Sequence, residues 1–129
     1  MPKKTIMIVD DEYLILETVQ DILKKAGFNV ITALSGDEAL KKLKKSKADL
    51  ALIDVMMPGM GGIELTKKIR MDKNIKNIDI AFLSVLTFSE LQKYKLKKYK
   101  ILDYIQKPFE RKELIARINK IIQTTKKVM

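Results

Sequence analysis

Polar side chains follow four apolar runs of the sequence, at the point where each run ends. They are three carboxylates, a hydroxyl and an ammonium group: Asp10, Asp11, Asp54, Ser84 and Lys107. Apolar runs of this kind are typical of strands buried inside a parallel sheet. Open α/β sheets bind their ligands at the carboxyl ends of such strands. We therefore expect these five side chains to lie around one shallow pocket.

The run at residues 50–59 is the strongest of the four, because its apolar residues lead straight into Asp54 and a Pro/Gly turn follows. Three carboxylates in one pocket repel one another, and a divalent cation with oxygen ligands relieves that repulsion. Mg²⁺ suits best, since it needs few protein ligands and keeps its water molecules. With Lys107 and Ser84 opposite, the pocket could receive a phosphoryl group, with Asp54 as the nucleophile.

Apolar runs alternate with amphipathic segments along the chain, which is typical of a doubly wound α/β protein. The predicted strands are 5–9, 29–33, a third ending at 54, 80–83 and 103–106. The first helix is predicted to end at Gly27, and capping boxes at 35–38 and 87–90 begin the second and the fourth. The third and fifth helices are predicted from 63 to about 71 and from 110 to about 125. With a strand order of 2-1-3-4-5, the polar strand ends become neighbours.

The composition excludes several kinds of site. The 129 residues contain no cysteine and no histidine, so disulfides, thiolate metal sites, the usual zinc sites and imidazole proton transfer are all ruled out. Hydrophobic residues make up 47% and charged residues 33%, which argues against disorder. No apolar run has the length of a signal peptide or a membrane span. We expect one cytoplasmic domain over residues 1–129, with no membrane contact.

The formal net charge is +10, and the lysines come in bursts at 41–47 and 93–100. These bursts lack the arginine and glycine that are usual in segments that bind nucleic acid. The pattern favours a solubilising surface over direct nucleic-acid binding. The lysines around the fourth helix also suggest that a partner meeting that helix has an acidic surface.

Four segments resemble those of response-regulator receiver domains, the phosphoacceptor half of two-component signalling, in their order and spacing. They are 6-IMIVDDE-12, 50-LALIDVMMPGMGG-62, 80-IAFLS-84 and 103-DYIQKPF-109. The resemblance covers nearly the whole chain, and the four segments together are highly specific. It implies a flavodoxin-like fold, with a five-stranded parallel sheet in the order 2-1-3-4-5 and five flanking helices. No output domain is expected within this sequence.

The resemblance implies that a histidine kinase or a phosphotransfer protein phosphorylates Asp54. Asp11, Asp54 and the main-chain carbonyl of Met56 would bind Mg²⁺ directly, and Asp10 would act through a coordinated water molecule. Lys107 would pair with the phosphoryl oxygens. The protein would then be a phosphoacceptor switch with some self-catalysis rather than an enzyme with turnover.

The resemblance also assigns the switch. Ser84 stands where the family has Thr or Ser, and Tyr104 matches the aromatic residue that turns inward when the hydroxyl is drawn to the phosphoryl group. The Lys107–Pro108 peptide bond is expected to be cis. The downstream target would bind the face formed by the fourth helix, the fifth strand and the fifth helix, with the protein a monomer or a phosphorylation-dependent dimer.

The sequence departs from the family pattern near the phosphoacceptor. Val85 replaces the usual Ala or Gly, and Met56 and Leu86 are apolar at two positions that tune hydrolysis of the acyl phosphate in the family. Neither side chain can orient a water molecule, so we expect slow self-dephosphorylation. Lys100 and Ile101 replace the common Gly-Ala before the fifth strand.

Each of these residues also has an ordinary structural explanation when taken alone. Asp10 and Asp11 could cap the first helix, Asp54 could form a turn, and Tyr104 could belong to the core.

Three other protein classes fit the sequence less well. A phosphohydrolase of the aspartyl-phosphate type would need an acid/base Asp at position 56, and a flavin-binding module would not carry acidic residues 10–12 in its phosphate loop. A DNA-binding pseudo-receiver usually loses acidic-pocket residues that are retained here.

Overall fold

The chain folds into a parallel β-sheet with helices on both faces. A computed structural model of the protein describes residues 2–93 and 96–128. The strands are β1 (Thr5–Val9), β2 (Asn29–Ala33), β3 (Leu50–Asp54), β4 (Asp79–Ser84) and β5 (Ile101–Gln106). Within the described ranges, the helices are α1 (Tyr13–Lys25), α2 (Gly36–Lys45), α3 (Gly62–Met71), α4 (Phe88–Gln92) and α5 (Arg111–Val128). The strand order is β2-β1-β3-β4-β5, as predicted.

Alternate residues of the central strands face opposite sides of the sheet, and both sides are buried. Ile8 and Leu52 pack in one cluster with residues of α1 and α5. Met7 and Ile53 pack in a second cluster with residues of α2 and α3. Because helices cover both faces, β3 is apolar until it reaches its last residue, Asp54.

Most predicted boundaries lie within two residues of the observed ones. β1 and β2 have the predicted bounds, whereas β4 is one residue longer at each end. β5 begins two residues earlier than predicted, at Ile101. The fourth helix is the least regular: α4 has five residues, and a 3₁₀ turn at Leu96–Tyr99 leads into β5.

The two predicted capping boxes differ in the structure. At α4 the box is complete. The hydroxyl of Thr87 accepts from the main-chain N–H of Glu90 at 3.2 Å, and the carboxylate of Glu90 accepts from the main-chain N–H of Thr87 at 3.0 Å. At α2 the hydroxyl of Ser35 accepts from the N–H of Glu38 at 3.1 Å, while the Glu38 carboxylate pairs with Lys42 at 2.9 Å. Both helices therefore begin where the sequence predicted.

α5 is amphipathic along its described side chains. Leu114, Ile118 and Ile121 are buried against the sheet, whereas Lys112 and Lys120 are exposed. Among the described residues, no helix combines the length and the apolar composition needed to cross a membrane.

The strand register brings the polar strand ends side by side. Val9 pairs with Ile53, and Asp54 pairs with Leu83. The residue after β1, Asp10, therefore lies next to the end of β3. The first residue of α3, Gly62, packs against the main chain of Asp54. Only glycine fits at this position, because a Cβ atom there would overlap the main-chain oxygen of Asp54.

Candidate functional site

Asp10 is completely buried at the end of β1, and both of its carboxylate oxygens are engaged. Oδ1 accepts from the main-chain N–H of Glu12 at 2.9 Å. Oδ2 accepts from Nζ of Lys107 at 2.7 Å. A buried carboxylate with two such partners has a fixed position and a compensated charge.

Asp54 is 4% exposed at the end of β3. Its Oδ1 accepts from the main-chain N–H of Met56 at 3.2 Å, and its Oδ2 lies 3.5 Å from Nζ of Lys107. Lys107 thus contacts both Asp10 and Asp54 across a sequence separation of more than fifty residues. Its main-chain N–H donates to the carbonyl of Ser84 at 2.8 Å, and the Lys107–Pro108 peptide bond is cis, as predicted.

The three acidic side chains form a group of metal-binding size. Asp10, Asp11 and Asp54 each offer a carboxylate oxygen, and these oxygens all lie within 4.8 Å of one another. The donors are all oxygen atoms, which suits a hard divalent cation such as Mg²⁺. The pocket therefore fits the predicted metal in size and donor type. The side chain of Met56 points to the surface and is 54% exposed, and the ligand role of its carbonyl remains a prediction.

Burial and charge act in opposite directions on this pocket. The pKa of Asp54 is raised to about 6, and burial is the largest cause. The charges of Asp10 and Asp11 also raise this pKa, whereas the positive charge of Lys107 lowers it. For Lys107, burial lowers the pKa, but the hydrogen bond to Asp10 and the charge of Asp54 outweigh burial and leave it above its usual value. The lysine is therefore charged, and the acidic group carries more negative charge than one lysine compensates.

Ser84 ends β4 next to this pocket and is 2% exposed. Its hydroxyl oxygen accepts from the main-chain N–H of Leu86 at 3.1 Å. The hydroxyl can still donate its own hydrogen to an oxygen atom entering the pocket. Val85, the next residue, is 60% exposed at the mouth.

Tyr104 is half-buried in β5, and its ring packs between two phenylalanines. The ring centroids of Phe82 and Phe88 lie 6.1 Å and 5.2 Å from that of Tyr104, the second in an edge-on arrangement. Its N–H donates to Oδ1 of Asp103 at 2.8 Å, and its carbonyl accepts from Arg117 at 3.1 Å.

A β-bulge between the pairs 80/101 and 82/104 gives β5 one extra residue before Tyr104. Such bulges redirect the side chains that follow them. A groove of about 560 Å³ is lined by Ser84 and Lys107 at one side of the pocket and by Tyr104, Phe88 and Arg117 on the face of α4, β5 and α5. Ser84 and Lys107 therefore lie at both the acidic pocket and this groove.

The structure brings together Asp10, Asp11, Asp54 and Lys107, with Ser84 beside them, and places Tyr104 in the adjoining groove. It also adds three residues that the sequence analysis missed. Phe88, Asp103 and Arg117 contact the ring or the main chain of Tyr104. Arg117 and Asp103 form an ion pair at 2.8 Å. Sequence periodicity places Arg117 beside the buried face of α5, but no local pattern shows a pair that spans fourteen residues.

Comparison with known proteins agrees with this geometry. The model of the response regulator receiver domain family matches residues 6–119. The alkaline phosphatase synthesis transcriptional regulatory protein PhoP of Bacillus subtilis is 38% identical over 120 residues, which are 93% of this chain and 49% of PhoP. The phosphate regulon transcriptional regulatory protein PhoB of Pseudomonas aeruginosa is 36% identical over 97% of this chain and 54% of PhoB. The chain thus spans about half the length of these curated relatives.

Solved structures show the same fold over whole chains. Chemotaxis protein CheY4 of Vibrio cholerae is 32% identical, with a TM-score of 0.86 over 92% of this chain and 98% of CheY4. A CheY-like receiver domain protein of Methanospirillum hungatei is 27% identical, with a TM-score of 0.89 over 99% of this chain and 100% of that one. The fold is therefore the flavodoxin-like one that the sequence predicted. The family match covers most of the sequence, and the chain belongs to the response regulator receiver domain family.

Proposed function

We propose that this chain is a phosphoacceptor switch in which Asp54 receives a phosphoryl group from a histidine kinase or a phosphotransfer protein. One observation carries the proposal: Nζ of Lys107 lies 2.7 Å from Asp10 and 3.5 Å from Asp54, within a group of three carboxylates of metal-binding size. A pocket with this charge arrangement suits an incoming phosphoryl group.

In the proposed transfer, a carboxylate oxygen of Asp54 attacks phosphorus and forms the new O–P bond. The P–N bond to the donor histidine breaks, and its electron pair stays on the imidazole nitrogen, which then takes up a proton. Lys107 would pair with the phosphoryl oxygens, and its hydrogen bond to Asp10 supports this role.

Asp11, Asp54 and the main-chain carbonyl of Met56 would hold Mg²⁺, with Asp10 acting through a water molecule. The ion would supply positive charge to the carboxylates and the phosphoryl oxygens.

The switch itself would act through Ser84 and Tyr104. A new phosphoryl oxygen near the hydroxyl of Ser84 favours a β4–α4 loop position in which Ser84 donates to it. Phe88 belongs to the next helix and contacts the Tyr104 ring, so a change at Ser84 alters the space that the ring occupies. A coupling of about 1–3 kcal/mol between phosphorylation and this face would be ordinary for such a switch.

The proposed output surface is the face of α4, β5 and α5. Phe88 is 57% exposed there, and exposed lysines of the turn before β5 extend it. An acidic partner surface would complement those lysines. PhoP and PhoB are named as transcriptional regulatory proteins; control of a comparable output is the downstream role we propose for this chain.

Incubation with acetyl phosphate and Mg²⁺ tests the phosphoacceptor role, with intact-mass spectrometry as the readout. The wild type should gain the mass of one phosphoryl group and lose it in hydroxylamine, as an acyl phosphate does. Asp54→Asn should gain nothing, while Asp37→Asn, which changes an exposed carboxylate of α2, should behave as the wild type. An adduct that survives hydroxylamine, or the same gain in Asp54→Asn, would refute the proposal.

A further inference from the structure

Two loops at the amino-terminal edge of the sheet, opposite the acidic pocket, carry five exposed lysines together with the helix end that precedes one of them. Lys44 and Lys45 lie in the last turn of α2, and Lys47 follows in the loop to β3. Lys73 and Lys76 lie in the loop between α3 and β4. Residues of both loops line the same depression of about 220 Å³, so the loops are neighbours in space. We call these five residues the lysine patch.

Three carboxylates in or next to these loops reduce the net charge of the lysine patch, but each has a partner outside the patch. Asp49 accepts from the first main-chain N–H of β1 at 2.7 Å. Asp72 accepts from the main-chain N–H two residues further on at 2.9 Å. Asp79 lies beside the guanidinium of Arg70 and raises the pKa of that group against the effect of burial. Across the part of the chain that the structure describes, none of the ion pairs within 4.0 Å involves a lysine of the patch.

The α3–β4 loop is held in one shape. Nη1 of Arg70 donates to the carbonyls of Lys76 and Ile78 at 2.7 and 2.6 Å. The main-chain N–H of Lys76 donates to the carbonyl of Asp72 at 2.9 Å. The main chain that carries Lys73 and Lys76 is therefore ordered before any ligand arrives, which lowers the entropy cost of binding.

We propose that the lysine patch binds the phosphate backbone of double-stranded DNA without sequence preference. A lysine ammonium is a compact charge that suits a single phosphate. Ser46, Asn74 and Asn77 line the depressions between the lysines and supply the polar donors that also position phosphates.

The patch lacks the groups that other modes of nucleic-acid recognition use. Residues 43–49 and 72–79 contain no aromatic side chain and no arginine. Aromatic side chains stack on bases in single strands, and arginine reads base edges in the major groove. The attraction of lysines to the dipole of α2 accounts for Lys44 and Lys45 but not for the loop lysines. The sequence alone does not reveal the lysine patch. Lys73 and Lys76 are far along the chain from the lysine-rich segment 41–47, and the two loops become neighbours only in the fold.

Fluorescence anisotropy with labelled duplexes of two unrelated sequences, over a series of salt concentrations, tests this inference on the whole chain. If five phosphates are neutralised, the logarithm of the binding constant should fall against the logarithm of salt concentration with a slope of about −4.5. The two duplexes should bind equally. The patch variant replaces all five lysines: Lys44→Gln, Lys45→Gln, Lys47→Gln, Lys73→Gln and Lys76→Gln.

A matched control removes the same charge from exposed positions elsewhere: Lys67→Gln, Lys93→Gln, Arg111→Gln, Lys112→Gln and Lys120→Gln. We expect the patch variant to lose about tenfold or more in affinity and most of the salt slope, and the control to change by less than about threefold. Equal losses in the two variants would show an effect of net charge alone and overturn the inference. So would tighter binding to one of the two sequences, the same affinity for polyglutamate as for DNA, or no binding of the wild type at low salt. DNA binding by the patch should not depend on phosphorylation of Asp54, because the patch lies at the opposite edge of the sheet. Failure of this inference therefore leaves the proposed phosphoacceptor role untouched.

Discussion

Lys107 lies between two carboxylates whose charges burial would otherwise leave uncompensated. Asp10 and Asp54 are 0% and 4% exposed, so solvent screens neither of them well. One ammonium group cannot balance two buried carboxylates and the third, Asp11, beside them. Burial is the main cause of the raised pKa of Asp54, and the charges of Asp10 and Asp11 add to it. The remaining negative charge fits the pocket to a divalent cation.

Asp54→Asn should stabilise the metal-free protein above pH 6. The pKa of Asp54 is about 6 in the folded state against 3.8 for the unperturbed group. Between these values the folded state binds more protons than the unfolded state, so the free energy of unfolding falls as pH rises, and it stays low above the folded pKa. The loss should be roughly 1–3 kcal/mol, with partial screening at the pocket mouth taken into account.

Urea unfolding of metal-free protein from pH 4 to pH 8 measures this difference. The wild type should lose stability relative to Asp54→Asn over that range, whereas Asp37→Asn should follow the wild type. A constant difference between wild type and Asp54→Asn across the range would show that burial does not penalise the charged Asp54.

The acyl phosphate should hydrolyse slowly, because the side chains flanking the pocket are apolar. Met56 and Val85 are largely exposed at the mouth, and Leu86 is half-buried beside Ser84. None of them can hydrogen-bond a water molecule in line with the phosphorus atom. Phosphorylated protein should keep its phosphate well beyond seconds in Mg²⁺, and Met56→Asn should shorten that lifetime. Loss of phosphate from the wild type within seconds would contradict this explanation.

β5 and the turn before it are held by side chains of two helices. The start of the strand is held by Arg70 of α3, which donates to the carbonyls of Tyr99 at 2.8 Å and Lys100 at 3.4 Å. Lys100 has a φ of 55°, a left-handed conformation that costs free energy in a residue other than glycine. Further along the strand, Asp103 and Arg117 hold the main chain of Tyr104. The position of Tyr104 thus depends on side chains from two helices.

Arg70→Met should loosen this strand while leaving the acidic pocket assembled. The substitution removes four hydrogen bonds to main-chain carbonyls, including those to Tyr99 and Ile78, and should lower the free energy of unfolding by about 2 kcal/mol. Hydrogen exchange should speed up over residues 97–106 more than in β1 or β3. Lys67→Met, an exposed change on the same helix, is the control, and equal exchange in the two variants would show that Arg70 does not support β5.

For the molecule as a whole, the alternation of apolar runs was sufficient to predict the layered fold. The meeting of Asp10, Asp54, Ser84 and Lys107 also required the strand order 2-1-3-4-5, which the family resemblance implies and which connection rules alone leave open. The short α4 was not predictable in the same way, because the lysines that follow it at 93–100 leave no apolar periodicity from which to predict its end. Contacts such as Arg117 with Asp103, and the gathering of lysines from two loops, depend on tertiary packing and have no local signal.

Mg²⁺ should stabilise the entire fold, because the ion would bind only the assembled pocket. The ends of β1 and β3 must come together to form the group of carboxylates, so binding is linked to folding. At a hundredfold excess over its dissociation constant, Mg²⁺ should add about 2.7 kcal/mol to the free energy of unfolding. The gain should shrink below pH 6, where Asp54 takes up a proton, and Asp11→Asn should weaken it at every pH. Thermal unfolding with and without the ion measures the effect, and an equal gain in Asp11→Asn would place the ion elsewhere.

The most direct test of the account identifies the residue that carries the phosphoryl group. After phosphorylation in Mg²⁺, borohydride reduces an aspartyl phosphate to homoserine, and peptide mass spectrometry then locates the converted position. The account predicts conversion at Asp54 alone, and none in Lys107→Met under conditions that label the wild type to completion within the same time. Conversion at Asp10 or Asp11 instead, or no conversion in folded wild-type protein that binds Mg²⁺, would contradict it.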